Sequence, residues 1–162
     1  MRRIFLIIAF IITGILQKNF AQTLTSENNP QTSQLLASYY GIIDALVSGN
    51  STKASVSAGD FVKAANGIDY KIISEGNIHA LLKDASAISE TTDIVKQREQ
   101  FARLSANMII LAKAVKLGSQ PAYETYCPMK KASWLSESKT IKNPYYGSAM
   151  LGCGNIIETI SH

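Results

Sequence analysis

The sequence predicts an all-α fold, an antiparallel up-down four-helix bundle with an irregular C-terminal Cys/Met-rich segment docked on it. Three observations lead to this prediction. Apolar residues recur at three- and four-residue steps through the middle of the chain. Short turns containing Gly or Asn separate these periodic segments, which favours antiparallel neighbouring helices. The periodicity stops near residue 119, where prolines and aromatic residues become frequent.

The first three helices are predicted from amphipathic patterns that end at turn residues. The first has apolar residues on one face and ends at Gly49-Asn50; its apolar positions are Leu35, Leu36, Tyr39, Tyr40, Ile43, Leu46 and Val47. The second begins with Ser51 as its cap and stops at Asn66-Gly67. The third is expected to run from Glu75 to Ser89. Each helix presents one apolar face, as a bundle requires.

The fourth helix has the most regular pattern in the chain. Its apolar residues follow a seven-residue spacing with intermediate positions, namely Ile94, Phe101, Met108 and Val115 with Leu104 and Leu111 between them. Thr91 or Thr92 is the expected N-cap, with Asp93 in the first turn, where the helix dipole favours a carboxylate. The helix is expected to end at Gly118.

Residues 119–162 are predicted to be an irregular part of the same domain as the bundle, which spans residues 34–118. Three prolines and five aromatic residues interrupt it: Pro121, Pro128, Pro144, Tyr123, Tyr126, Trp134, Tyr145 and Tyr146. Short strands are compatible with the patterns near residues 123–127 and 156–160. The segment is too apolar for a disordered tail, so it is expected to pack on the bundle.

The N-terminus predicts export. Arg2 and Arg3 precede an apolar run that is too short for a comfortable membrane span, as in a signal peptide covering residues 1–21. Cleavage is expected after Ala21, and a retained N-terminal anchor is the alternative. Residues 22–33 then form a polar, flexible leader. The predicted location is therefore the periplasm, with no membrane contact beyond the signal segment.

Charge excludes one class of partner. The chain has 16 Lys+Arg and 12 Asp+Glu, and loss of Arg2, Arg3 and Lys18 with the signal would leave 13 basic residues against 12 acidic ones. No basic patch with interleaved aromatic residues remains, so the sequence does not indicate nucleic-acid binding.

Two short segments, bracketed by Pro and Gly, contain both cysteines of the chain and two of its four methionines. These four residues are the candidate metal ligands: Cys127, Met129, Met150 and Cys153. Thiolate and thioether sulfur select copper(I) over harder ions, and silver is similarly soft. Zinc is less favoured, because only two cysteines are present.

A structural disulfide explains the same cysteines without a metal. Exported proteins usually pair their cysteines. Closing the loop between Cys127 and Cys153 would contribute about 3.5 kcal/mol on the chain-entropy estimate. Met129 and Met150 would then be packing residues. From the residues alone the disulfide is favoured over the metal site, and both interpretations stay open.

Other features of the chain suggest no further chemistry. Motifs of hydrolases, metalloproteases, P-loop proteins and Cys-x-x-Cys oxidoreductases are absent, so the protein is not expected to be an enzyme. The acidic residues of the C-terminal segment show no pairing pattern: Glu124, Glu137 and Glu158. His79 is expected on an exposed helix face, and His162 is terminal. Arg98 and Arg103 are expected to form surface ion pairs.

The C-terminal motifs Tyr-Cys-Pro-Met, Asn-Pro-Tyr-Tyr-Gly and Met-Leu-Gly-Cys-Gly resemble a family of exported bacterial domains of uncharacterised function. Asp93-Ile94, Gln97-Arg98, Phe101 and Leu104-Ser105 resemble it in the helical part. Members occur alone and fused to periplasmic adaptor subunits of heavy-metal efflux pumps. The resemblance implies binding of copper or silver and an efflux adaptor or pump as partner, which favours the metal interpretation. Tyr126 stands where many relatives carry His, so that nitrogen ligand is lost.

Overall fold

A computed structural model describes residues 29–161, and the predicted signal segment and most of the predicted leader lie outside this range. Four helices follow in order: α1 (Pro30–Val47), α2 (Ser51–Asn66), α3 (Glu75–Ser89) and α4 (Ile94–Ala114). Each helix packs on the next one along the chain. The prediction of four sequential helices is therefore confirmed. None of the helices in residues 29–161 is both long and apolar enough to cross a membrane.

Side-chain caps fix three of the helix starts, and for α2 the cap is Asn50, which accepts the Lys53 N–H, and not the predicted Ser51. Asn29 accepts a hydrogen bond from the Gln31 N–H, and α1 begins at Pro30, within the segment predicted to be a flexible leader. Proline suits the first helical position, because its missing N–H would have no partner there. The predicted threonine cap of α4 is wrong: Asp93 accepts from the N–H groups of Val95 and Lys96.

The C-terminal segment is a small antiparallel sheet, so the all-α prediction is wrong and the fold is α+β. The strands are β1 (Ala122–Cys127), β2 (Ala132–Ser136) and β3 (Asn155–Ile160), in the order β2-β1-β3. A 3₁₀ helix, Gly147–Met150, lies between β2 and β3. The two strands thought compatible with the sequence are present as β1 and β3, whereas β2, the edge strand on the other side of β1, was not predicted. β1 hydrogen-bonds to both neighbours and forms a rigid base for the residues at its end.

The apolar stripe of α4 faces the core. Phe101, Leu104, Met108 and Leu111 are buried, whereas Ile94 at the first turn is only partly covered. Val115 follows the last helical residue, so the helix ends before the predicted Gly118. Its backbone is extended there, which starts the connection toward the sheet.

Aromatic side chains join the helices and the sheet into one core. Tyr39 of α1 stacks on Phe101 of α4 with ring centroids 5.5 Å apart, and its hydroxyl hydrogen-bonds to Ser105. The same hydroxyl accepts the Leu135 N–H of β2 at 3.1 Å. Tyr145 contacts Phe101 and meets Trp134 edge-on at 5.9 Å. These contacts fix the sheet, and the segment that follows β2, against α1 and α4.

Candidate functional site

The first cysteine lies at the point where β1 ends and a tight turn begins. Cys127 is the last residue of β1, and its carbonyl accepts the Lys131 N–H at 2.8 Å across the turn. Lys131 has a φ of +55°, the left-handed conformation that closes such turns. The Cys127 side chain is fully buried, whereas Met129 within the turn is 63% exposed. The turn thus directs one sulfur into the protein and the other toward solvent.

The second sulfur-containing segment lies closely against the core. Met150 ends the 3₁₀ helix, and its carbonyl accepts the Cys153 N–H at 3.0 Å. Gly154 follows, with a φ of +156°, and a Cβ there would lie 2.7 Å from Cη2 of Trp134. Only glycine allows the chain to approach the buried indole this closely. This approach holds Cys153 beside β1.

The two cysteine sulfurs face each other without being bonded. Their Sγ atoms are 3.7 Å apart, compared with about 2.05 Å in a disulfide. The Lys130 N–H donates to Sγ of Cys127 at 3.4 Å. Cys153 is partly exposed, in contrast to the buried Cys127. The pair is therefore asymmetric, with one covered sulfur that accepts hydrogen bonds and one accessible sulfur.

Asn143 connects the two segments and is the main residue that sequence reasoning missed. Its Nδ2 group donates to Sγ of Cys127 at 3.2 Å and to the Cys153 carbonyl at 2.6 Å. Its Oδ1 accepts the N–H groups of Tyr145 and Tyr146 at 2.8 and 3.2 Å. The side chain is fully buried. The Asn143 side-chain amide therefore accepts the N–H groups of the turn that follows it, and it also positions both cysteines.

These contacts shift the pKa values of the two thiols in opposite directions. Burial opposes ionisation of Cys127, but hydrogen bonds from the Lys130 N–H, the Asn143 amide and the Cys153 thiol outweigh it and lower its pKa. Burial raises the pKa of Cys153, and its hydrogen bond to Cys127 and repulsion from the Cys127 thiolate raise it further. Within the pair, ionisation is therefore easier at Cys127 than at Cys153.

The four predicted ligands are not equally close to forming a site. The structure brings Cys127 and Cys153 together. Met150 is tied to Cys153 through the backbone and is partly buried, whereas the Met129 side chain extends into solvent. Among residues 29–161, no group of three or more His, Cys, Asp or Glu side chains is arranged to hold a metal ion. Any metal centre here is therefore a two-thiol centre to which thioethers could add.

The remaining polar residues act in packing. His79 is exposed beside Glu75 with its Nε2 3.9 Å from Oε1, and His162 lies outside the described residues. The prediction that Arg98 forms a surface ion pair is wrong. Its guanidinium donates to the Leu46 carbonyl at the end of α1 and to the Pro144 carbonyl, at 2.9 and 3.1 Å.

A second unpredicted contact joins α4 to the sheet. Glu124 and Glu158 are paired across β1 and β3, and Lys113 Nζ lies 2.7 and 2.8 Å from their Oε2 atoms. Since the three residues are far apart in sequence, only the strand register reveals the pairing. Lys113 bridges two adjacent carboxylates with one positive charge, so the group forms an ion-pair cluster.

Comparison with known proteins identifies the helical part. Residues 35–120 match the family described as "Protein of unknown function (DUF3347)". The matched range covers most of α1, all of α2 to α4, and ends before β1 and both cysteines. No curated protein and no solved structure matches the chain. Because the match spans more than half of the sequence, the chain belongs to the DUF3347 family.

Proposed function

We propose that this protein is an exported soft-metal-binding module that holds copper(I) or silver between Cys127 and Cys153. The observation that carries the proposal is the 3.7 Å separation of two unbonded sulfurs. Two bonds of about 2.3 Å, the length of a zinc–thiolate bond, separate their sulfurs by about 3.8 Å when they meet at a roughly tetrahedral angle. One ion could therefore bridge the pair with little rearrangement of the fold.

The donor set fits a soft ion and not zinc. Structural zinc sites are closed by four protein ligands, which this site does not supply from cysteine and histidine. Copper(I) and silver accept thiolate and thioether sulfur and tolerate fewer ligands. The hydrogen bonds that lower the pKa of Cys127 favour its ionisation, and a bound ion would displace the proton of Cys153.

The two methionines would have different parts in such a site. Met150 is held next to Cys153 by the 3.0 Å backbone hydrogen bond and is the better placed third ligand. Met129 is mostly in solvent and would have to fold back across its turn. Since thioethers are neutral, loss of either should weaken binding less than loss of a thiolate.

The location and partner belong to the same proposal. The charged and apolar pattern of residues 1–21 supports export to the periplasm. The resemblance to domains fused to heavy-metal efflux adaptors supports sequestration of the ion, or its delivery to an efflux adaptor or pump. The role proposed is binding, without catalysis.

The second candidate function is a helical interaction domain with a structural Cys127–Cys153 disulfide and no metal. The directly opposed sulfurs favour it as well, because side-chain adjustment alone could close the bond. The two functions differ in the state of the thiols in the native compartment. Free thiols support the metal site, and a stable disulfide supports the scaffold.

Competition for copper(I) tests the proposal. The reduced protein is titrated against a colorimetric copper(I) chelator, and X-ray absorption counts the sulfur neighbours. We expect one copper per chain, near-complete loss of binding in Cys127→Ser and Cys153→Ser, and a smaller loss in Met150→Leu. Silver should compete and zinc should not. His79→Ala, on an exposed face of α3, is the control with unchanged affinity.

Two results would contradict the proposal. Unchanged copper affinity in the double Cys→Ser variant would remove the site. A Cys127–Cys153 bond that stays oxidised in protein taken directly from the periplasm, without reductant, would favour the scaffold function.

A further inference from the structure

The two cysteines differ in how an external molecule could reach them. Cys127 is fully buried beneath its turn, whereas Cys153 is partly exposed and follows two exposed residues, Leu151 and Gly152. Of the two cysteines, Cys153 is therefore the one that a small thiol or disulfide in solution can reach more readily. Such a molecule can exchange with Cys127 only through the neighbouring sulfur, 3.7 Å away.

The reduced form has a prepared place for a sulfur anion at Cys127. The Lys130 N–H and the Asn143 amide both point at this sulfur, at 3.4 and 3.2 Å. The Lys130 N–H belongs to the turn after β1 and not to the segment that carries Cys153, so it can remain in place when the two sulfurs bond or separate. Donors that stabilise the departing sulfur make a disulfide easier to reduce and stabilise the dithiol state.

The second segment can make the small movement that bonding requires. The sulfurs must approach from 3.7 Å to about 2.05 Å. Gly152, on one side of Cys153, has no atom within 4 Å of the position its Cβ would take, so this part of the segment has room to move. Cys127 is fixed by β1, which makes Cys153 the sulfur that moves.

We propose that Cys127 and Cys153 form a reversible dithiol–disulfide switch that exchanges with low-molecular-weight thiols and disulfides through Cys153. The exchange chemistry does not depend on metal binding. Its consequence for copper rests on the proposed function: the dithiol holds the ion, and the disulfide, which has no thiolate, does not. The switch would then make metal binding depend on the redox state of the compartment.

Reduction proceeds in two balanced exchanges. A thiolate RS⁻ attacks Sγ of Cys153, forms an R–S–Sγ mixed disulfide, and breaks the bond to Cys127, which leaves with the electron pair as a thiolate. A second RS⁻ attacks the R sulfur, forms RSSR, and releases the Cys153 thiolate, which takes a proton from water. Two external thiols are thereby oxidised as the one disulfide is reduced, and oxidation by RSSR follows the same steps in reverse.

Single-cysteine variants of the metal-free protein test the direction of attack, with oxidised glutathione as the probe. Cys127→Ser keeps the exposed thiol and should accumulate a mixed disulfide with one glutathionyl group per chain, seen by intact mass. Cys153→Ser keeps only the buried thiol and should react at least about tenfold more slowly, because access limits exchange. Wild type should pass to the internal disulfide without accumulating the adduct. Under denaturing conditions the two variants should react at similar rates, which shows that burial causes the difference.

Equilibration of wild type with a glutathione redox buffer gives an independent measurement that does not rely on any variant. We expect both the dithiol and the disulfide to be populated as the ratio of thiol to disulfide is varied, without unfolding. Equal native reactivity of the two variants, or a wild-type disulfide that resists excess thiol until the protein is denatured, would overturn the proposal. These results hold whether or not copper binds, so a failed copper titration would leave the switch standing.

Discussion

Replacement of Asn143 by Asp is the most direct test of how the site is built. The two side chains have nearly the same shape, and the aspartate keeps the oxygen that accepts from Tyr145 and Tyr146. It loses both donated hydrogen bonds and places a carboxylate oxygen 2.6 Å from the Cys153 carbonyl and 3.2 Å from the Cys127 sulfur. The substitution therefore removes the link between the two segments without changing the volume of the core.

The expected cost follows from the contacts that are lost. The Cys153 carbonyl loses the Asn143 donor, at a cost of about 1–3 kcal/mol for a buried acceptor, and the Cys127 sulfur keeps only the Lys130 N–H of its two amide donors. A buried negative charge facing a carbonyl oxygen adds to this. We expect Asn143→Asp to lower the free energy of unfolding by about 3–5 kcal/mol, a large part of the stability of a domain of this size.

Urea unfolding of the reduced protein, followed by circular dichroism, measures this cost by linear extrapolation. Asn77→Asp is the matched control, because Asn77 is exposed in the first turn of α3 and should change stability by no more than about 0.5 kcal/mol. A double-mutant cycle with Cys127→Ala isolates the amide–sulfur contact, with an expected coupling of about 0.5–1.5 kcal/mol. Equal stabilities of the Asn143→Asp and Asn77→Asp variants would refute the hydrogen-bond arrangement described here.

Three further predictions use denaturant unfolding as the measurement. Leu104→Ala should lower the free energy of unfolding by about 2–5 kcal/mol, because the Leu104 side chain is fully buried. Lys96→Ala should lower it by no more than about 0.5 kcal/mol, because Lys96 is exposed. A larger loss for Lys96→Ala than for Leu104→Ala would mean that α4 is rotated. Gly154→Ala should lower the free energy of unfolding by at least about 1–3 kcal/mol, because the new Cβ would meet Trp134. Gly152→Ala should leave it nearly unchanged, because the space around that position is open. Similar losses for the two variants would contradict the close approach of Gly154 to Trp134. Burial raises the pKa of Tyr39 in the folded protein, so its contribution to the free energy of unfolding is complete only below the pKa of an unfolded tyrosine and is lost as the pH rises above it. The free energy of unfolding should therefore fall above about pH 10. A free energy of unfolding that stays constant to about pH 11 would contradict this.

The helices were predictable because their information is local. Apolar spacing and turn residues placed α3 at its observed bounds, Glu75–Ser89, and identified the buried face of α4. The cap of α4 was missed because Thr91 and Asp93 are both good capping residues. In the structure the Thr91 hydroxyl accepts the Asp93 N–H, and the Asp93 carboxylate accepts from the helix. Sequence alone does not decide between such neighbours.

The sheet was only partly predictable because strand pairing is not local. β2 has the sequence Ala-Ser-Trp-Leu-Ser, in which no alternation of apolar and polar residues marks a strand. Its pairing with β1 and the burial of Trp134 and Leu135 against the helices stabilise it. The cysteine pair was predictable from composition and the flanking Pro and Gly, whereas Asn143 contacts cysteines 16 and 10 residues away. An Asn-Pro turn between the two segments was the only local signal for it.

The family match and the candidate site occupy different parts of the chain, and Arg98 connects them. Arg98 lies in α4, inside the matched range, and donates to carbonyls of both α1 and Pro144. Pro144 follows Asn143, whose amide holds Cys127 and the Cys153 carbonyl. Hydrogen bonds from Arg98 and Asn143, joined by the peptide bond between Asn143 and Pro144, therefore connect the helices to the Cys127 sulfur and to the backbone of Cys153.

This connection explains why a helical domain would carry a cysteine pair on so small a sheet. A small sheet needs a packed hydrophobic face or a helix against it to be stable, and the loop before β3 has no regular structure beyond one 3₁₀ turn. Arg98 supplies a planar set of donors that Lys could not reproduce at two carbonyls at once. Gly147, where a Cβ would lie 2.7 Å from Nη2 of Arg98, lets the loop close over the guanidinium. The helices thus act as the rigid support that keeps two sulfurs 3.7 Å apart, near enough to share an ion or to form a bond.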